Sequence, residues 1–190
     1  MKNKDNEYYS PVPKAMVVTM IAGIILCIIS AISYQAFDQK WMLSCAITFG
    51  VIAYHMAIRF LAPVILVAIF HRKYDYRSWW FQERKWESGF YQLIKVKNWK
   101  AKTFTYDPRE FSMKIHSLEE IINNMCHAEL VHELIVFLSF TALLFAIPFG
   151  ALVVFLITAV LAALFDLTFV ILQRYNRPRV VNLLARRNKR

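Results

Sequence analysis

Glycine occurs four times and proline six times in 190 residues, which excludes collagen-like repeats and Gly- or Pro-rich linker sequence. Charge is also scarce, at 19%, and acidic residues number 13 against 23 Lys and Arg. So low a charge with so many apolar residues excludes an intrinsically disordered chain. The three cysteines, Cys27, Cys45 and Cys126, form no CxxC pair and cannot all be bridged, so neither a disulfide framework nor a redox motif is expected. HExxH, GxSxG and a phosphate-cradling Gly-rich loop are absent, as is any internal repeat. The pair His71 and Asp75 is one residue too close for H-x4-D. Five histidines are too few for a His-rich di-iron site, and no bound metal is expected, although His55, His132, Glu129, Glu133 and Asp166 are possible ligand types.

What the chain does contain is apolar surface. Hydrophobic residues make up 58% and aromatics 15%, above the usual 45–50% or so of a soluble domain and more than a small core can bury. The expected class is an all-α integral membrane protein with four transmembrane helices. The run Ala15–Ala36 carries no charge and is long enough to cross a bilayer. It follows Lys2, Lys4 and Lys14, as a signal peptide would, but its length and the three later spans favour an anchor. After Asp38-Gln39-Lys40 a second apolar run extends from Met42 to Phe70 around Pro63, either as one long kinked helix or as a helix ending near Arg59. The third span is expected from Ala128 to Ile147, with a turn at Pro148-Phe149-Gly150. The fourth is expected from Ala151 to Leu172, stopped soon afterwards by Pro178.

These spans divide the chain into an arm (1–14), a first helix pair (15–70), an interfacial helical segment (71–127), a second helix pair (128–172) and a basic tail (173–190). Of the 23 Lys and Arg, only Lys40 falls in a turn on one side and Arg59 within a span; all the others lie in the arm, segment 71–125 and the tail. The positive-inside rule then puts both termini and the middle segment in the cytoplasm of a cell-membrane protein, with its active face cytoplasmic. Trp79, Trp80, Trp86 and Trp99 interleave there with Lys and Arg, which suits helices lying at lipid headgroup level. The same interleaving suits single-stranded nucleic acid, but in so apolar a chain membrane lipids are the expected partner and nucleic acid is not.

Ionisable residues inside a span are costly and mark candidate sites. His55 and Arg59 lie four apart on one face of span two. Glu129, His132 and Glu133 share one arc of span three, and Asp166 lies in span four. Counting about 1.5 Å per residue from the outer turns puts His55, Glu133 and Asp166 at similar depth, with Arg59, Glu129 and His132 just beneath. Arg59 is expected to pair with Glu133 or Asp166. A purely structural charge-paired layer is the plain alternative to a reactive site. Where span four leaves the membrane, Gln173, Arg174, Tyr175, Asn176 and Arg177 offer donors suited to a phosphate.

Several stretches together are similar to a known family. They are Glu83-Arg84-Lys85-Trp86-Glu87, Lys95-Val96-Lys97-Asn98-Trp99-Lys100, Cys126-His127-Ala128-Glu129-Leu130-Val131-His132 and, most specific, Gln173-Arg174-Tyr175-Asn176-Arg177-Pro178-Arg179. In this order, over about residues 50–182, they resemble the bacterial glycosyl-4,4'-diaponeurosporenoate acyltransferases of staphyloxanthin (carotenoid) biosynthesis, as a divergent member. The resemblance implies a membrane acyltransferase that takes a fatty acyl group from acyl-CoA or a similar thioester co-substrate to a lipid or glycolipid acceptor. In that reading His132 is the general base, oriented by Glu129 or Glu133, and Arg59 or Arg174 stabilises the oxyanion. The alternatives are a lipid methyltransferase or reductase using a nucleotide cofactor, and a non-enzymatic lipid-binding or scaffolding protein.

Overall fold

The computed structural model describes residues 10–103 and 107–189. Much of the arm expected at residues 1–14 therefore lies outside the described residues. Among those described, the regular elements are all helical: α1 (Val12–Phe37), α2 (Lys40–Phe70), α3 (Glu87–Leu93), α4 (Val96–Trp99), α5 (Leu118–Thr141), α6 (Ala146–Phe149) and α7 (Leu152–Arg187), with short 3-10 turns between them. Four stretches are long and apolar enough to cross a membrane: Val12–Phe37, Lys40–Phe70, Leu118–Phe149 and Leu152–Arg187.

Local chemistry sets the helix ends. Asp38 adopts φ 49° and donates its N–H to Tyr34 O at 2.8 Å, closing α1. The apolar run beyond it stays one helix through Pro63 and does not end at Arg59. Helix α5 begins at Leu118, well ahead of the apolar run at Ala128. Ser117 and Glu120 form a reciprocal capping box, with Glu120 N to Ser117 Oγ at 3.2 Å and Ser117 N to Glu120 Oε2 at 2.8 Å. At the other end the helix tightens into a 3-10 turn over Ala142–Phe145, then α6, and Gly150 turns the chain at φ 76°, where a side chain would be strained.

Pro178 does not stop α7, contrary to the expectation from sequence; the helix continues to Arg187. A proline removes one helical hydrogen bond and crowds the preceding turn. In the turn that precedes it, the side chains of Arg174 and Arg177 are anchored by the buried carboxylates of Glu87 and Glu129.

The helices contribute to two compact units. One is centred on Pro11–Val64 and Leu134–Asp166. Its core includes Val51, Ala142 and Phe155, and the Tyr54 hydroxyl donates to Leu138 O at 2.8 Å. Gly23, the buried residue of α1, sits where an added Cβ would meet Phe49 O at 3.2 Å and the Ala53 Cβ at 3.3 Å, so α1 and α2 approach closely there. The other unit is centred on Ile65–Glu133 and Leu167–Arg190. Its apolar cluster includes Tyr91, Val96 and Leu172. Asn123 pins the start of the loop to α5, accepting from Tyr74 N at 3.1 Å and donating to Arg72 O at 2.8 Å. The Tyr74 hydroxyl hydrogen-bonds the Nδ1 of the buried His127 at 2.7 Å.

Candidate functional site

The residues singled out from sequence divide between the two units. His55, Arg59 and Asp166 belong to one; Glu129, His132, Glu133 and the run Gln173–Arg177 belong to the other.

In the first, Arg59 pairs with Asp166, which is 1% exposed, and also donates Nη1 to His55 O at 2.5 Å. Of the two carboxylates expected for Arg59, Asp166 is the partner observed. The pair needs no third group to be neutral, and Arg59 further lies 5.6 Å from the Phe165 ring centroid. His55 is buried, and among the described residues neither of its ring nitrogens has a hydrogen-bond partner. An imidazole so placed forfeits its hydration without compensation.

In the second unit the dominant feature is a buried tetrad of two acids and two bases. Arg174 uses all five of its N–H groups: Nε and Nη2 to Glu87 Oε1 at 3.1 and 2.5 Å, Nη1 to Glu129 Oε1 at 2.7 Å and to Trp80 O at 3.0 Å, and Nη2 to Gln82 O at 3.0 Å. Arg177 takes the other oxygen of Glu129 and donates to Phe81 O at 2.5 Å. The second oxygen of Glu87 accepts from the Tyr91 hydroxyl at 2.6 Å. Formal charge cancels, and each carboxylate oxygen has a donor, which is what makes such burial tolerable. Burial pushes the Glu87 carboxyl up, but the hydrogen bonds from Arg174 and Tyr91 outweigh it and hold the group below its ordinary value. Burial and the neighbouring carboxylate hold the Tyr91 phenol well above its own.

Two expectations change as a result. Each oxygen of Glu129 accepts from an arginine, so its charge is committed to the tetrad. With every N–H of Arg174 engaged and Arg177 3% exposed, the two arginines do not form an open phosphate cradle, nor does Arg174 have a donor left for an oxyanion. They instead tie α7 to α5 and to the turn at Trp79–Phe81. Of the remaining expected cradle, Gln173 is half-buried on α7, Asn176 accepts from Lys100 Nζ at 3.3 Å, and the Tyr175 ring meets the Tyr91 ring edge-on at 5.4 Å.

Trp80 connects the tetrad to the candidate catalytic pair. Its carbonyl holds Arg174, while its indole Nε1 donates to Glu133 Oε2 at 2.9 Å. The adjacent His132 stacks on Phe169 with ring centroids 4.6 Å apart and planes 14° from parallel, so its imidazole plane is set by an α7 residue. Glu87, Trp80 and Phe169 were not singled out by charge spacing along the chain. Glu87 lies in one of the family-like stretches and carries the signal of an acid amid basic residues, but Trp80 and Phe169 differ in no local way from the many other aromatics.

The family model for glycosyl-4,4'-diaponeurosporenoate acyltransferase matches residues 77–186. No curated protein and no solved structure matches the chain. The matched stretch exceeds half of the chain and holds the whole tetrad, His132, Glu133 and Phe169, and on that match the chain belongs to the glycosyl-4,4'-diaponeurosporenoate acyltransferase family.

Proposed function

We propose that the protein is a multi-pass acyltransferase of the cell membrane that transfers a fatty acyl group from a cytoplasmic thioester such as acyl-CoA to a hydroxyl of a lipid or glycolipid acceptor. The observation that carries this reading is the family match over residues 77–186, which spans the ordered arrangement around His132. Four apolar helices agree with a membrane location, and the crowding of Lys and Arg into segment 71–125 and the tail supports a cytoplasmic placement of both. The family's name points to a sugar hydroxyl as the acceptor.

In this mechanism His132 removes the proton of the acceptor hydroxyl as its oxygen attacks the thioester carbonyl. The new C–O bond forms and the C–S bond breaks; His132 returns the proton to the departing thiolate. Phe169 holds the imidazole plane, and Trp80 keeps the carboxylate of Glu133 turned to itself beside the base.

The test is conversion of an acyl-CoA and a glycolipid extract to an ester product, followed by mass spectrometry, with the purified protein in nanodiscs. His132→Gln is expected to lower turnover by about 10²–10⁴-fold while leaving unfolding unchanged. A folded His132→Gln protein with near-normal turnover overturns the assignment of the base. Absence of any thioester-dependent acylation by the wild-type protein across a broad lipid extract overturns the function.

A further inference from the structure

Most well-placed arginines of the second unit are matched to acids: Arg72 to Glu110, Arg109 to Asp107, Arg174 and Arg177 to the tetrad. Lys100 and Arg179 are different. Lys100 Nζ lies 5.0 Å from the Tyr175 ring centroid and the Arg179 guanidinium 3.7 Å from the same point. Their positive charges are therefore closer together than a Debye length, roughly 10 Å at 0.1 M salt. Among the described residues neither has a carboxylate partner. Lys100 donates to Asn176 Oδ1 at 3.3 Å, and Arg179 bonds the Tyr175 carbonyl one helical turn back.

We propose that Lys100, Asn176 and Arg179, gathered about Tyr175, form a binding site for a phosphate group. Two like charges held together without an acid repel one another, and an anion between them relieves that repulsion. The ring both cations approach is preset: Tyr91 meets Tyr175 edge-on at 88°, and Tyr91 is itself fixed by its bond to Glu87. Asn176 gives its oxygen to Lys100 and keeps its amide N–H groups for an acceptor. Arg179 is exposed and Lys100 half-buried, so the group is reachable, unlike Arg177. The tetrad and this site divide the labour of the basic residues: Arg174 and Arg177 hold α7 in place, while Arg179 and Lys100 present charge. The site rests on the acyltransferase reading only for the identity of its ligand, since the phosphate can come from coenzyme A or from a phospholipid headgroup.

Two probes separate these sources: coenzyme A titrated calorimetrically into the detergent-purified full chain, and vesicles of phosphatidylcholine with phosphatidylglycerol titrated against the same protein. Lys100→Ala and Arg179→Ala are each expected to weaken binding roughly ten- to a hundredfold, as for a lost charge-assisted hydrogen bond. Arg179→Lys retains most of the affinity. Asn176→Asp puts a carboxylate on Lys100 without changing side-chain size, and is expected to abolish binding in a protein that still unfolds normally. Loss of coenzyme A binding in these variants supports the site with the thioester donor as its ligand. Loss confined to the vesicles, with no coenzyme A binding by the wild type, supports the phosphate site with a headgroup ligand and counts against the thioester donor. Binding of both probes unchanged in all three weakening variants overturns the site, whatever happens to turnover.

Discussion

Arg177 and Glu129 lie 48 residues apart and form an ion pair in which the arginine is 3% and the acid 0% exposed. Neither residue could be buried alone. Their pairing, completed by Arg174 and Glu87, joins the 174–177 turn of α7 to Glu129 of α5 and to the turn at Trp79–Phe81.

Removing a single member leaves uncompensated charge in a dry place. Glu129→Ala is expected to destabilise the protein by about 3–5 kcal/mol, because both arginines lose a partner. Glu87→Gln is expected to cost less, since Arg174 keeps Glu129. Denaturant unfolding in detergent, followed by tryptophan fluorescence, ranks the two; a Glu87→Gln protein less stable than Glu129→Ala contradicts the arrangement.

Acid should loosen the same joint. The Glu87 carboxyl is held below its ordinary value of 4.5 in the folded chain. Its contribution to stability is therefore fully present above about pH 4.5 and declines as pH falls through the depressed folded value. In Glu87→Gln that part of the acid dependence disappears. Thermal unfolding of both proteins between pH 3 and 7, roughly the range over which a carboxylate titrates, measures it; parallel curves would exclude the effect.

His55 invites the opposite outcome. Both of its ring nitrogens are buried without a partner among the described residues, and replacing such a group by an apolar one of similar shape removes a desolvation penalty. His55→Phe is expected to raise stability by about 1–3 kcal/mol. If the imidazole serves the reaction, turnover falls as stability rises. A less stable His55→Phe protein would show that the ring is satisfied in the folded state.

Gly23 tests the approach of α1 to α2. An added side chain meets backbone and a methyl group, neither of which moves freely. Gly23→Val is expected to cost about 1–3 kcal/mol, whereas Gly89→Ala, where a Cβ meets nothing within 4 Å, is expected to stay within the roughly 0.5–1 kcal/mol favouring Ala in a helix. Equal effects of the two substitutions would count against this packing.

The amino-acid sequence by itself determined the four apolar helices, because a charge-free run of some twenty residues has few other fates. It also set the α5 boundary, through Ser117 and Glu120, although hydropathy alone starts that span at Ala128. The family, too, was legible in the order of short motifs, above all Gln173–Arg179. What only the tertiary structure decided is which charges cancel. Spacing places Glu129, Glu133 and Asp166 within reach of several cations, but it cannot say that Asp166 takes Arg59, that Glu129 takes Arg174 and Arg177, or that Glu133 receives the Trp80 indole. Those choices depend on partners up to 107 residues away along the chain. A buried arginine is satisfied by geometry in three dimensions, by carbonyls of an irregular turn as much as by acids, and no periodicity along the chain encodes where that turn will lie.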